Sequence, residues 1–284
     1  MINIASTTDG DFTDVLMTFY VSILENNLDN TFQFFIIDDK LSESDKSYIR
    51  QLQEIYSNIK KITFIKIDTQ FYKEASTDSP VSAIKENTYY KVELPLHVNC
   101  SRLLYLDCDM ICKGNLADLW KTDLQGNVIG AIEDQGFDLT KKGLNDKHIT
   151  RYIKRYFNGG LILFDIKKWN KEHVTEKTHE FVKQHGSDLD FQEQDALNAV
   201  LNGKWKLLDP RYNVQTYLAR KEKTNPDPYQ EKLGQKAQKS PVIIHYTTWS
   251  KPWVRNGKSV HPWRDQYYYY KYIFTRRLQN NEKV

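Results

Sequence analysis

Cysteine is scarce in this chain: three of 284 residues, at positions 100, 108 and 112. The number is odd and no two are spaced Cys-x-x-Cys, which excludes a disulfide framework and the common paired-thiolate metal site. The three read as small buried hydrophobes in a reducing compartment. No apolar run approaches the roughly 18 residues a membrane-spanning helix needs. Met1-Ile2-Asn3 opens no signal peptide, so the expectation is a cytoplasmic protein. An excess of one charge is also lacking. Lys+Arg 40 against Asp+Glu 37 leaves a net +3, without the footprint that a nucleic-acid-binding chain carries. No internal repeat is visible. What is present is 40% hydrophobic against 27% charged residues, a globular balance that supports one large domain or two small ones.

The most informative segment is Leu103-Leu104-Tyr105-Leu106-Asp107-Cys108-Asp109, an apolar strand-like run ending in two aspartates. In an extended segment alternate side chains share a face, which points residues 107 and 109 the same way. Two carboxylates aimed into one small volume repel each other unless a cation lies between them. An Asp-x-Asp at the carboxyl end of a buried strand is therefore a divalent-metal candidate, at the edge where open α/β sheets bind ligands. The plain alternative is a turn that uses Asp for solvation, so distant support is needed.

Along the chain, Ile2–Ala5 reads as a first strand and Ser6–Asp11 as a polar loop. Residues 13–27 fit an amphipathic helix with Val15, Phe19, Ser22 and Ile23 along one side. Phe32–Ile37 is a strand, and Ser42-Glu43-Ser44-Asp45 resembles a capping box that opens a helix to about Tyr56. Ile62–Ile67 is a strand, 87–98 a helix, and the aspartate-bearing strand follows. Alternation over the first ~110 residues predicts a nucleotide-type α/β fold, a mostly parallel sheet with helices on both faces. Further on, Val128–Ile132 and Phe157–Phe164 read as strands, and Asp165 as the cap of a helix running in pieces towards Gly186. Asp190–Leu201 reads as a helix with Gly203 near its end, and Val242–Tyr246 as a late strand. The polar stretch 221–240 reads as a surface excursion. From Trp263 a tail carries Tyr267-Tyr268-Tyr269-Tyr270 beside Lys271, Arg276 and Arg277. It reads as a terminal helix packing its rings on the core, the alternative being a surface for an anionic membrane or a partner.

Six further segments bear on the aspartate pair: Ala5-Ser6-Thr7-Thr8-Asp9-Gly10-Asp11-Phe12, Asn87-Thr88-Tyr89-Tyr90-Lys91-Val92, Gly130-Ala131-Ile132-Glu133-Asp134, Phe157-Asn158-Gly159-Gly160-Leu161-Ile162, Gln192-Glu193-Gln194-Asp195-Ala196-Leu197-Asn198, and His245-Tyr246-Thr247-Thr248-Trp249-Ser250-Lys251-Pro252-Trp253. Together with the pair they resemble the motifs of the family-8 retaining glycosyltransferases, from residue 1 to about residue 253. The last segment is similar to the family's His-x-x-Gly-x-x-Lys-Pro-Trp.

That resemblance implies a GT-A type nucleotide-sugar-binding fold, a catalytic domain over 1–262 and a basic aromatic tail over 263–284. It implies that His245 completes a metal site with Asp107 and Asp109, Cys108 lying between them in the donor contact, and that Lys251 meets the diphosphate. Imidazole with carboxylates suits Mn²⁺, with Mg²⁺ as the alternative, and an ammonium neutralises phosphate charge. Thr248 stands where the family has Gly, and its side chain would either crowd the diphosphate or bond to it. Ser6, Thr7, Thr8 and Asp9 match a loop that holds uracil and ribose. The loop is one residue longer than the common form, which leaves Thr8 and Asp9 both open as the base contact. Lys91, Asn158 and Glu193 are implied at the donor sugar, Glu193 replacing the usual Asp with one more methylene. Gln194 falls near the anomeric carbon and Asp134 near the acceptor.

The implied function is metal-dependent transfer of glucose or galactose, galactose slightly favoured, from a UDP-sugar to a hydroxyl of a bacterial glycan or glycoprotein, forming an α-linkage. UDP-galactose or UDP-glucose and that acceptor are the expected partners. Nucleic acid is not. The inner face of the membrane is a possible contact through the tail. The rival is a UDP-sugar-binding scaffold within a glycosylation complex, to which the departures at Thr248, Glu193 and Gly159 point.

Overall fold

The computed structural model describes residues 1–68, 71, 86–136, 153, 155–186, 189–221, 228–254, 260–280 and 283–284. The chain forms two compact units, one from Met1–Phe64, Leu106–Thr122 and Asp209–Val284, the other from Ile65–Tyr105 and Asp123–Leu208.

The first unit opens with β1 (Ile2–Thr8), α1 (Thr13–Glu25), β2 (Phe32–Asp38), α2 (Glu43–Ile55) and β3 (Ile59–Ile65, its last residue in the second unit). The strands lie in the order β3-β2-β1. β1 and β2 are parallel, with Ile2 opposite Phe32 and Thr8 opposite Asp38. β1 extends three residues beyond the expected strand, so Ser6, Thr7 and Thr8 belong to the strand and the loop begins at Asp9. The capping box forms as expected. Ser42 Oγ accepts the Asp45 N–H at 3.1 Å, and the Asp45 carboxylate accepts the Ser42 N–H at 2.9 Å. α1 departs from its expected one-sided pattern by being buried almost throughout. A helix buried all round needs cover on its second face, and the terminal helix α10 (Arg264–Asn280) packs along it.

The rest of this unit holds β5 (Met110–Cys112), α4 (Ala117–Lys121), β9 (Val214–Gln215), α8 (Thr216–Arg220), α9 (Pro228–Lys239) and β10 (Ile243–His245). Its small sheet runs β5-β10-β9. Most of the supposed excursion at 221–240 is α9, with Ala237 turned inward, and 222–227 lie outside the described residues. The basic aromatic segment is core structure along one side. Tyr267 and Tyr270 join Val15, Ile111, Ile244 and Tyr246 in one buried cluster. Arg277 grips the Glu25 carboxylate at 2.6 and 2.9 Å, a two-pronged geometry that a lysine cannot supply. Only Tyr268, Tyr269 and Tyr272 of the segment's tyrosines remain exposed. The expected boundary at 262/263 falls inside the stretch Asp209–Val284 of this unit.

The second unit comprises α3 (Tyr90–His97), β4 (Arg102–Leu106, its last residue in the first unit), β6 (Ile129–Glu133), β7 (Phe157–Asp165), α5 (Ile166–Lys171), α6 (Val174–His185), α7 (Glu193–Leu201) and β8 (Lys206–Leu207). Its strands lie in the order β4-β7-β6-β8, with β6 antiparallel to β7 and parallel to β8. Asp165 caps α5 as expected, its carboxylate accepting the Lys168 N–H at 2.9 Å. α7 starts at Glu193 rather than Asp190, because the Asp195 carboxylate takes the Phe191 N–H at 2.8 Å and turns the chain before the helix. It ends at Asn202 and Gly203, with φ of 39° and 76°, the left-handed exit that Asn and Gly accept most readily.

Candidate functional site

In the first unit, Asp107-Cys108-Asp109 lie in the turn between β4 and β5, beyond the strand on which alternation was expected to align them. The small sheet brings His245 to them. His245 stands opposite Met110 across the β5–β10 pair, and the Tyr246 N–H donates to the Asp109 carbonyl at 3.0 Å. His245 Nε2 is then 3.1 Å from Asp109 Oδ1 and 3.9 Å from Asp107 Oδ2. One ligand atom from each of the three residues lies within 4.8 Å of the others. The imidazole's second nitrogen, Nδ1, meets Asn213 Oδ1 at 2.9 Å. A proton on Nδ1 for that bond leaves the Nε2 lone pair facing two carboxylates.

Three electron-rich groups facing one another repel unless a cation joins them, and Asp109 Oδ1 is buried without a hydrogen-bond partner among the described residues. The donor set therefore fits a divalent cation of the kind that accepts mixed nitrogen and oxygen ligands. Lys251 sits alongside, its ammonium donating to Asp109 Oδ2 and to the Tyr246 carbonyl. Burial pushes the Asp109 carboxyl up, but the Lys251 ammonium beside it opposes this and the group is held well below the usual carboxylate range. Burial, with the charges of Asp109 and Asp107, pushes the Cys108 thiol well up. The clustered ligand atoms are those of Asp107, Asp109 and His245, without the Cys108 sulfur.

Thr8 and Asp9 are both engaged locally. The buried Thr8 hydroxyl donates to the Asp9 carbonyl at 3.0 Å, and the Asp9 carboxylate caps the short turn Gly10–Phe12 by accepting the Phe12 N–H at 3.1 Å. Thr248 has φ of 69°, left-handed backbone in which a β-branched residue is strained. The family's Gly at this place thus has a conformational reason besides room for diphosphate. Thr248→Gly is expected to raise unfolding free energy by about 1–2 kcal/mol, measured as a higher denaturant midpoint at unchanged slope.

In the second unit Lys91, Asp134, Asn158, Gly159, Glu193 and Gln194 come together. Asn198 aligns α7 with β7, accepting the Phe157 N–H at 2.8 Å and donating to the Phe157 carbonyl at 2.9 Å. Four residues earlier on the helix, Gln194 Oε1 accepts the Gly159 N–H at 2.7 Å. Its amide nitrogen donates to Asp134 Oδ2 at 3.2 Å and to the Tyr156 hydroxyl at 3.1 Å. Asn158 Nδ2 donates to the same Asp134 oxygen at 3.0 Å. Asp134 reaches this place because β6 pairs with β7 and its N–H donates to the Tyr156 carbonyl at 3.0 Å. Lys91 and Glu193 form a buried ion pair at 3.0 Å, their side chains 4% and 6% exposed. Lys91 also donates to the Gly159 carbonyl at 3.2 Å and lies 4.9 Å from the Tyr105 ring centre.

A Cβ added at Gly159 would stand 3.5 Å from Gln194, Glu193 and Lys91 atoms, ordinary contact distance. The departure at Gly159 therefore leaves slightly more room and no strain. Gln192, immediately before Glu193, has φ 46° and ψ −112°. Both ends of its buried amide lack a partner among the described residues. Such backbone costs about 1–3 kcal/mol and collects at functional sites.

Sequence reasoning missed Asn213, Tyr156, Asp195 and Asn198. Each acts on a residue far along the chain, and no spacing rule connects them. For Tyr156, Asp195 and Asn198 the one available signal was their place within or beside segments already singled out; for Asn213 there was none.

The family model described as glycosyl transferase family 8 matches residues 3–257. General stress protein A of Bacillus subtilis (strain 168) is 30% identical, over 95% of this chain and 93% of its own. Lipopolysaccharide 1,2-glucosyltransferase of Escherichia coli (strain K12) is 27% identical, over 89% of this chain and 72% of its own. Among solved structures, the galactosyltransferase LgtC in complex with donor and acceptor sugar analogs superposes with a TM-score of 0.81 at 23% identity, covering 96% of each chain. The fold is accordingly the GT-A type, mixed α/β with a large, mostly parallel central sheet. With its family model matched over nearly the whole length, the chain belongs to glycosyl transferase family 8 and is a glycosyltransferase.

Proposed function

We propose that this glycosyltransferase moves glucose or galactose from a UDP-sugar to a hydroxyl of a bacterial glycan or glycoprotein, with a divalent cation, Mn²⁺ in preference to Mg²⁺, and with the donor's α-configuration kept. The observation that carries the reading is the convergence of Asp107, Asp109 and His245 around an unpartnered buried carboxylate oxygen, with the Lys251 ammonium beside it. The three residues would hold the cation, and Lys251 would meet the diphosphate. When bound, the cation offsets charge on the departing UDP. Lys91, Glu193 and Asn158 are assigned to the sugar hydroxyls, and Asp134 to the acceptor. Ser6 to Asp9 are assigned to the nucleoside, with Thr8 and Asp9 through backbone, since their side chains are engaged.

Gln194 is assigned to the reacting face of the sugar. A neutral amide is a poor nucleophile, and an oxocarbenium-like transition state gains from its carbonyl dipole. That favours attack by the acceptor on the face that UDP leaves. The names of the relatives support a gluco- or galacto-configured donor. No helix among the described residues is long and apolar enough to cross a membrane. Contact with an anionic membrane from the cytoplasmic side is assigned to the exposed Tyr268, Tyr269 and Tyr272, with Lys271 next to them.

The test is UDP release from a panel of UDP-sugars. EDTA is expected to abolish it, and Mn²⁺ to restore it better than Ca²⁺. Full activity in chelator would overturn the metal assignment, and UDP-N-acetylglucosamine as the best donor would overturn the sugar assignment.

A further inference from the structure

We propose that Tyr156 and Asp195 are positioning residues that fix which end of the Gln194 amide faces Gly159 and Asn158. The inference rests on the role given to Gln194 above. An amide's oxygen and NH₂ have nearly the same shape, so packing alone does not choose between its two orientations. Its partners do.

Asp195 is buried and binds through both oxygens: Oδ2 accepts the Phe191 N–H at 2.8 Å and Oδ1 accepts the Tyr156 O–H at 2.6 Å. Burial pushes the Asp195 carboxyl up, and hydrogen bonds from Phe191, Tyr156 and Asp190 oppose it; in its ionised form the carboxylate only accepts. The one Tyr156 proton is therefore committed to Asp195, and the phenol oxygen meets Gln194 as an acceptor. Gln194 answers with its NH₂ at 3.1 Å. That leaves Oε1 on the opposite side, against the Gly159 N–H at 2.7 Å and Asn158 Nδ2 at 3.4 Å. Asp134 supports the same orientation from a third direction, accepting the amide NH₂ at 3.2 Å. Asp195 and Tyr156 thus pass the polarity of a buried charge to the side chain assigned to the reacting face.

Asp195→Asn makes the idea testable. The Phe191 N–H still requires an oxygen, so the new NH₂ takes the place of Oδ1 and donates to Tyr156. The Tyr156 proton is then displaced towards the Gln194 NH₂, and two donors face each other. Either Gln194 turns over and loses Gly159 and Asp134, or a buried proton goes unbonded; both loosen Gln194. Tyr156→Phe removes that proton and hence the conflict.

The experiment measures kcat and KM for Mn²⁺-supported hydrolysis of UDP-galactose and UDP-glucose. Tyr156→Phe should lower kcat about 10-fold with KM changed less than about 2-fold, because the sugar contacts are untouched. Asp195→Asn should lower kcat about 100-fold, and the double variant should return to the Tyr156→Phe level, an interaction that independent sites do not show. If Asp195 served only to cap α7, its loss would be the same in the Tyr156→Phe background, and that additive result would overturn the proposal. Gln194→Ala separates the two readings. If it is impaired while Tyr156→Phe and Asp195→Asn behave as the unsubstituted protein, only the relay is wrong. If Gln194→Ala itself hydrolyses donor normally, the role of Gln194 is wrong and the relay falls with it.

Discussion

Asp109→Ala is expected to abolish Mn²⁺-supported UDP release, a loss of at least about 100-fold, and to weaken Mn²⁺ binding measured by titration calorimetry. Asp109 is the hub of its cluster. One oxygen faces His245 at 3.1 Å and the other takes the Lys251 ammonium, so alanine removes a ligand and frees the lysine together. The backbone bond from Tyr246 to the Asp109 carbonyl does not involve the side chain, which leaves β5 and β10 paired and the fold intact. Asp109→Asn removes only the charge. It should lose metal binding nearly as completely with a smaller change in stability. Unimpaired turnover in either variant would remove the carboxylate from the cation site.

Breaking the Lys91–Glu193 pair is expected to be the most damaging change in the second unit. With both side chains almost wholly out of water, removing one partner strands a buried charge, at a cost of about 3–5 kcal/mol. Lys91→Ala and Glu193→Ala should each show it in a denaturation curve. The pair's net worth to stability is a separate quantity, since well-packed apolar residues often replace buried ion pairs at no loss. Lys91→Met with Glu193→Leu should therefore recover much of the stability of either single variant while UDP-sugar hydrolysis stays lost. Recovery of hydrolysis together with stability would reduce the pair to scaffolding.

The elements readable in advance were those whose cause is local. Phe32–Ile37 is apolar but for Gln33, close to the pattern of a strand covered on both faces; Ser42 with Asp45 and Asp165 with Lys168 are caps formed within one turn. The elements that escaped are made by their neighbours. β8 and β9 are two residues each and β5 three, too short to carry a period. Nothing in Thr13–Glu25 announces that a helix more than 200 positions later covers its second face. The candidate site divides in the same way. Asp107 and Asp109 could be read from the strand before them, and His245, Lys251, Glu193 and Gln194 from motif resemblance. Asn213, Tyr156 and Asp195 could not, because an ordinary Asn, Tyr or Asp becomes informative only once its hydrogen-bond partner is known. Thr248 shows the opposite limit. Its departure was visible in the sequence, but the strain that explains the usual glycine is a property of φ.

The discontinuity of the first unit bears on how the protein is made. Lys251 and Asp109 are 142 positions apart, and all of the second unit from Asp123 to Leu208 is threaded between them. At a synthesis rate of about 5–20 residues per second, the aspartates wait roughly 7–28 s on the ribosome before their histidine and lysine emerge. During that interval Asp107 and Asp109 have no cationic neighbour from β10 or the loop after it. The second unit, whose chain is complete by Leu208, can fold first and shorten the effective loop that remains to be closed. The cation cluster is thus a late event in assembly, and a nascent chain stopped before residue 245 presents a pair of acidic groups with nothing yet to join them.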